Sequence, residues 1–157
     1  MKEKNIIFST DDFKTKVIPL ITEGLTVPLV VTGSSMTPYI VPGRDTVYIS
    51  KPSFPLKKGD LAFFERLDGR VVMHRIYKAK NNSYWFVGDA QTEIEGPVCE
   101  KQIFGQINMI YRKGKAESRF SPIRFFFRYI WIRMIPLRPH IIKLFTKFRA
   151  IKKSDGK

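Results

Sequence analysis

Residues 61–90, LAFFERLDGRVVMHRIYKAKNNSYWFVGDA, decide the fold class. Short runs of β-branched and aromatic residues are punctuated by Gly69 and by Asn81-Asn82, residue types that reverse a chain because they accept left-handed backbone. Gly69 to Gln91 therefore reads as a hairpin with Asn81 and Asn82 at its tip. Outward from it the same pattern continues through runs at 27–32, 45–50, 60–65, 70–78, 84–88 and 103–112. It predicts a mostly β unit of about six strands.

The flanks differ. Residues 9–25 read as a short helix: Ser9 or Thr10 can cap it, Asp11 and Asp12 suit its first turn, and Phe13, Val17, Leu20 and Ile21 form one face. Pro19 is expected to kink or end it. Beyond Arg112, the segment IRFFFRYIWIRMIPLRPHIIKLFTKFRAIKK reads as helices broken at Pro136 and Pro139. This organisation divides the chain into an N-terminal helical segment (1–26), a β-rich domain (27–112) and a basic, aromatic-rich helical tail (113–157).

The charge lies in the tail. The whole chain is +14, but residues 1–111 carry 14 basic and 12 acidic side chains and residues 112–157 carry 14 and 2. Basic side chains interleaved with Phe120, Phe125, Phe126, Phe127, Tyr129, Trp131, Phe145 and Phe148 point to an anionic membrane surface contacted by residues 118–153, with nucleic acid the less expected partner. Between Arg124 and Lys143 no uncharged stretch exceeds four residues, so an interfacial helix is expected rather than a span of ~20 residues. No secretory signal is expected, since Met1 to Lys4 lead to Asp11 and Asp12 without an apolar run. Cys99, His74 and His140 are too scattered for a metal site, and no metal or cofactor is expected.

Two features could carry chemistry. In Val31-Thr-Gly-Ser-Ser-Met-Thr-Pro38 a strand runs into a turn that exposes the Ser35 hydroxyl beside backbone N–H groups, an arrangement that suits a nucleophile and its oxyanion. The alternative is an ordinary turn of small residues. In the hairpin, pairing Lys80 with Ser83 and counting back sets His74 opposite Asp89. Opposed side chains on one sheet face lie about 5 Å apart at Cβ, close enough for the carboxylate to orient the imidazole. The alternative is a lone strand histidine, with Asp89 a turn residue. Arg75 points to the other face from His74, either as a surface ion pair or as support for Asp89.

With Gly59-Asp60 between them, these motifs resemble the signal peptidase I family and the wider group of Ser/Lys and Ser/His peptidases that includes self-cleaving LexA-like repressors. Ser35-Met36 with Pro38 is similar to the nucleophile box, His74-Arg75 to the general-base box, and Gly88-Asp89-Ala90 to the Gly-Asp box. The likeness runs from about Val30 to Gln106. It implies a signal-peptidase/LexA-like β-rich catalytic fold and a serine endopeptidase acting on signal or leader peptides of a precursor protein. Ser35 is then the nucleophile, His74 the base and Asp89 the third member. Gly33, Ser34 and Arg75 would support the site and its oxyanion, and Met36 would line the substrate cleft. Gly33 stands where many bacterial members carry a Ser, so the oxyanion would rely on backbone amides. The expected localisation is peripheral, at the cytoplasmic membrane. Alternative readings are a LexA-like regulator, a non-catalytic nucleic-acid- or membrane-binding protein with a basic tail, and a degenerate peptidase kept as a binding module.

Overall fold

Along β2 (Asp45–Ser50) buried and half-buried side chains alternate residue by residue, as a strand requires when one of its faces meets a core. In the computed structural model, which describes residues 10–154, this strand belongs to an eight-stranded antiparallel sheet, and the fold is mostly β as expected. The other strands are β1 (Val27–Val30), β3 (Leu61–Glu65), β4 (Val71–Lys80), β5 (Ser83–Val87), β6 (Glu95–Cys99), β7 (Ile103–Arg112) and β8 (Lys115–Ala116). They lie in the order β1-β2-β7-β3-β4-β5-β6, with β8 paired to β7.

All six expected runs contain a strand, and two strands are additional. β6 escapes pattern reading because Glu-Gly-Pro-Val-Cys carries the residues of a turn. Its place at the sheet edge reconciles this, since an edge strand tolerates a proline that cannot donate to the ladder. β8 has only two residues, too few to show a period.

A helical segment, α1, covers residues 10–22; Ser9 lies outside the described residues. Its middle turn, Phe13–Val17, is π-wound between α-helical Thr10–Asp12 and Ile18–Thr22. Pro19 explains why the helix loosens instead of ending: it has no N–H to donate back, and the Ile18 N–H reaches Phe13 O, five residues away. Phe13, Val17 and Ile21 are buried as expected, whereas Leu20 is 40% exposed.

Alternation along β3 and β4 feeds two apolar clusters. Leu61 and Met73 join the larger one with Leu29, Val47, Ile49 and Ile107, while Ala62, Phe64 and Ile76 join the smaller one with Tyr84, Phe86 and Ile103. Both flanking segments enter the larger cluster, through Phe13, Val17 and Ile21 from α1 and through Phe127 and Trp131 from the tail.

The tail begins with α2, residues 122–133, which winds from α (Pro122–Phe125) through π (Phe126–Ile130) to 3-10 (Trp131–Arg133). A short 3-10 turn, Ile135–Leu137, precedes α3 (Arg138–Ser154), so the breaks fall where Pro136 and Pro139 put them. Phe127, Trp131 and Ile132 are buried, each contributing roughly 2 kcal/mol of transfer free energy. Phe127 and Trp131 therefore face the protein and are not open to a surrounding phase.

Arg138 is completely buried and donates to the carbonyls of Gly88 (2.8 Å), Gln91 (2.9 Å) and Trp131 (3.1 Å). Trp131 Nε1 donates to Asp89 O at 2.9 Å. Arg138→Met keeps the volume but removes three hydrogen bonds, and the expected loss is about 3 kcal/mol, measurable as a lower urea midpoint with unchanged slope.

Candidate active site

Ser35 sits in the turn between β1 and β2. Backbone hydrogen bonds within this turn run from Thr37 N to Ser34 O (3.0 Å) and from Ile40 N to Met36 O (2.9 Å), so they start beyond the Ser35 amide. Ser35 is half-buried, and Gly33 and Ser34 are exposed. Met36 is only 1% exposed and also lines the adjoining cavity, so it serves core and cleft together. That cavity, about 270 Å³, is lined by Leu29, Val31, Val47, Phe63 and Met73 together with Gly33, Ser35 and Met36.

The turn is tied to the loop after β5. Ala90 N donates to Ser35 O at 2.8 Å. A Cβ on Gly88 would stand 2.8 Å from Ser35 O and 2.6 Å from Gln91 Oε1, so the two segments approach this closely only because position 88 has no side chain.

His74 reaches the same loop from β4, in a register that differs from expectation. The tip is the two-residue turn foreseen, with Asn81 and Asn82 both left-handed and Lys80 paired with Ser83. Between Ile76 and Lys78, however, the ladder shifts: Lys78 pairs with Trp85 but Ile76 with Phe86, leaving Tyr77 as an extra residue. Arg75 then opposes Val87, and the next step of the ladder sets His74 against Gly88 and not against Asp89.

This bulge reassigns the carboxylates. Asp89 is fully buried and takes both prongs of Arg75, from Nε at 2.8 Å and Nη2 at 2.7 Å. Arg75 also donates to Gly59 O at 3.0 Å and stacks on the Tyr39 ring at 5.0 Å. Of the two readings of Arg75, the structure has the one in which it supports Asp89.

The acid against His74 is Glu95, from β6. Its Oε1 lies 3.1 Å from His74 Nδ1, off the axis of a formed hydrogen bond. The same carboxylate accepts from Arg66 Nε and Nη2, each at 2.5 Å. Nδ1 faces Glu95 without a formed hydrogen bond, and Nε2, on the far side of the ring, is the nitrogen turned elsewhere. Burial pushes the imidazole below its ordinary value; Glu95 opposes that shift, Arg66 adds to it and Asp89 opposes it more weakly. For Glu95, burial acts upward but the Arg66 hydrogen bonds and the neighbouring His74 outweigh it, and the carboxyl lies below the usual range.

The Ser35 backbone carbonyl thus lies against Gly88, the β4–β5 ladder ends at the Arg75–Val87 pair beside His74, and among the described residues no hydrogen bond joins Ser35 to His74. His74 is not part of the wall of the Ser35 cavity. Sequence reading missed Glu95 and Arg66, as well as Trp131 and Arg138, which hold the loop carbonyls. Glu95 had no pattern to announce it, lying beside Gly96-Pro97. No family model, no curated protein and no solved structure matches this chain.

A buried ion pair that loses one member leaves an uncompensated charge. Asp89→Asn is accordingly expected to cost about 3 to 5 kcal/mol, whereas Glu95→Gln, at a carboxylate 22% exposed, costs under about 1 kcal/mol. Urea unfolding of the two variants separates them.

Proposed function

We propose that the chain is a serine endopeptidase of the signal peptidase I type, on a signal-peptidase/LexA-like fold, that cleaves signal or leader peptides. Supporting this most directly is that the turn of half-buried Ser35 is tied to the loop after β5, which begins one residue past the partner of Arg75, while buried His74, next to Arg75, has a carboxylate at its Nδ1. In this reading His74 Nε2 takes the Ser35 proton as Oγ attacks the peptide carbonyl. The leaving amine collects that proton, and water activated by the same imidazole then releases the acyl group. The substrate runs as an added strand along the outer edge of β1, which among the described residues pairs only with β2. Side chains next to the cut enter the apolar cavity beside Ser35, and the family resemblance points to small ones.

Incubating candidate leader peptides with the purified protein and analysing them by mass spectrometry tests this. Ser35→Ala and His74→Ala are each expected to lower cleavage by about 10³-fold or more, with the circular dichroism unchanged; normal turnover by Ser35→Ala would overturn the reading. Because burial pushes His74 down and the base works in its neutral form, wild-type activity should reach half-maximum below the ordinary histidine value of about pH 6.5. A profile flat from pH 4 to 8 removes His74 from the base role.

The tail supports a second proposal, peripheral attachment to an anionic membrane surface. Just before α2 and along its outer side, Phe120 (86%), Phe125 (59%), Ile130 (45%) and Tyr129 (44%) are exposed around a depression also lined by Arg119, Arg124 and Arg128. Apolar rings among guanidinium groups suit a headgroup region better than nucleic acid, whose phosphates do not require the rings. Among the described residues no helix is long and apolar enough to cross a membrane. Co-sedimentation with phosphatidylglycerol vesicles is expected, and the double variant Phe120→Ser, Phe125→Ser should weaken it about tenfold or more. Equal binding by that variant, or tighter binding to an oligonucleotide than to vesicles, rejects the attachment.

A further inference from the structure

Glu95 Oε1 is shared. Arg66 Nη2 holds it at 2.5 Å while His74 Nδ1 meets it at 3.1 Å, and Arg66 Nε holds the other oxygen at 2.5 Å. A guanidinium gripping both oxygens fixes the plane of a carboxylate, which a single contact does not. Here the fixed plane matters, because Glu95 stands on edge strand β6, which among the described residues has only β5 beside it, and near the Gly96-Pro97 break where the β5–β6 ladder is irregular. Arg66 comes from the other side, at the end of β3, where its backbone N–H closes the β3–β4 turn on Arg70 O at 2.8 Å. The ion pair therefore joins the hairpin carrying His74 to the strand carrying its acid.

The charges on all sides of the imidazole are few. Glu95 faces it from β6, Arg66 from the β3–β4 turn and Asp89 from the loop after β5, while Arg75, next to it on β4, is turned to Asp89. A carboxylate alone at Nδ1 would orient the ring but also hold it protonated, which disables a base near neutral pH. A guanidinium on the same carboxylate removes most of that second effect and keeps the first.

We propose that Arg66 is a positioning residue of the site, one that fixes Glu95 in the orientation from which it meets His74 and cancels Glu95's charge, so that the imidazole is aimed without being kept protonated. This rests on His74 being the base, but its electrostatic half can be read without any substrate.

The full chain has two histidines, and the exposed His140 is removed as His140→Gln to leave one imidazole signal for proton NMR. With Arg66→Gln in that background, the His74 titration midpoint is expected to rise by about one pH unit, and the half-maximum of leader-peptide cleavage to rise with it. Arg66→Lys keeps the charge but lacks the fork; its midpoint should stay near wild type while kcat falls on the order of tenfold at unchanged KM. Arg66→Met replaces the Gln variant should that one fail to fold. A ladder contact that merely ties β6 to the turn would lower stability without moving the midpoint, and an unmoved midpoint in the neutral variants overturns the proposal. A midpoint that moves as far in Arg66→Lys overturns the assignment to charge. Should wild type cleave no peptide while the midpoint shifts as expected, the peptidase reading fails and the coupling of Arg66 to His74 stands.

Discussion

Four residues after β5, Gly88 to Gln91, are held from every side, and the candidate site depends on that grip. Arg75 clamps the Asp89 side chain from β4 with two hydrogen bonds inside the core. Trp131 and Arg138 take the carbonyls of Gly88, Asp89 and Gln91 from the tail. Ala90 N holds the Ser35 turn. A buried pair of this kind is a weak source of net stability, since desolvating both ions consumes most of what their attraction returns. Its effect is geometric: three carbonyls and the buried carboxylate of the loop are engaged from outside it, which favours one arrangement.

How far the sequence discloses this follows from the kind of signal each element leaves. The long strands are readable because β-branched and aromatic runs alternate with turn residues, and Asn81-Asn82 marks the hairpin tip to the residue. The register beyond it is not readable. A bulge at Tyr77 costs one residue and carries no composition of its own, yet it reverses which neighbour each side chain meets. Asp89, reasonably paired with His74 by counting, goes instead to Arg75, and the place beside His74 falls to Glu95, on a strand whose Gly-Pro disguises it. The motifs around Ser35, His74 and Gly88 are visible locally, whereas the carboxylate and guanidinium beside His74 depend on tertiary placement that no spacing encodes.

The tail illustrates the same limit differently. Its charge and rings read as one amphipathic surface, but they are divided between two tasks. Phe127, Trp131 and Ile132 turn inward and Arg138 is spent on backbone carbonyls, while Phe120, Phe125 and Tyr129 stay outside. Composition counts rings and charges alike wherever they point. Only the winding of α2, tight at one end and π-wide in its middle, decides which go in.

Arg138 lies fifty residues downstream of the carbonyl it secures at Gly88. A nascent polypeptide emerging from the ribosome can therefore complete every ladder of the sheet while that loop still waits for its last fastener. Translation order thus leaves this loop unfinished until the C-terminal portion has been made, and a message truncated just before the Arg138 codon still encodes all eight described strands.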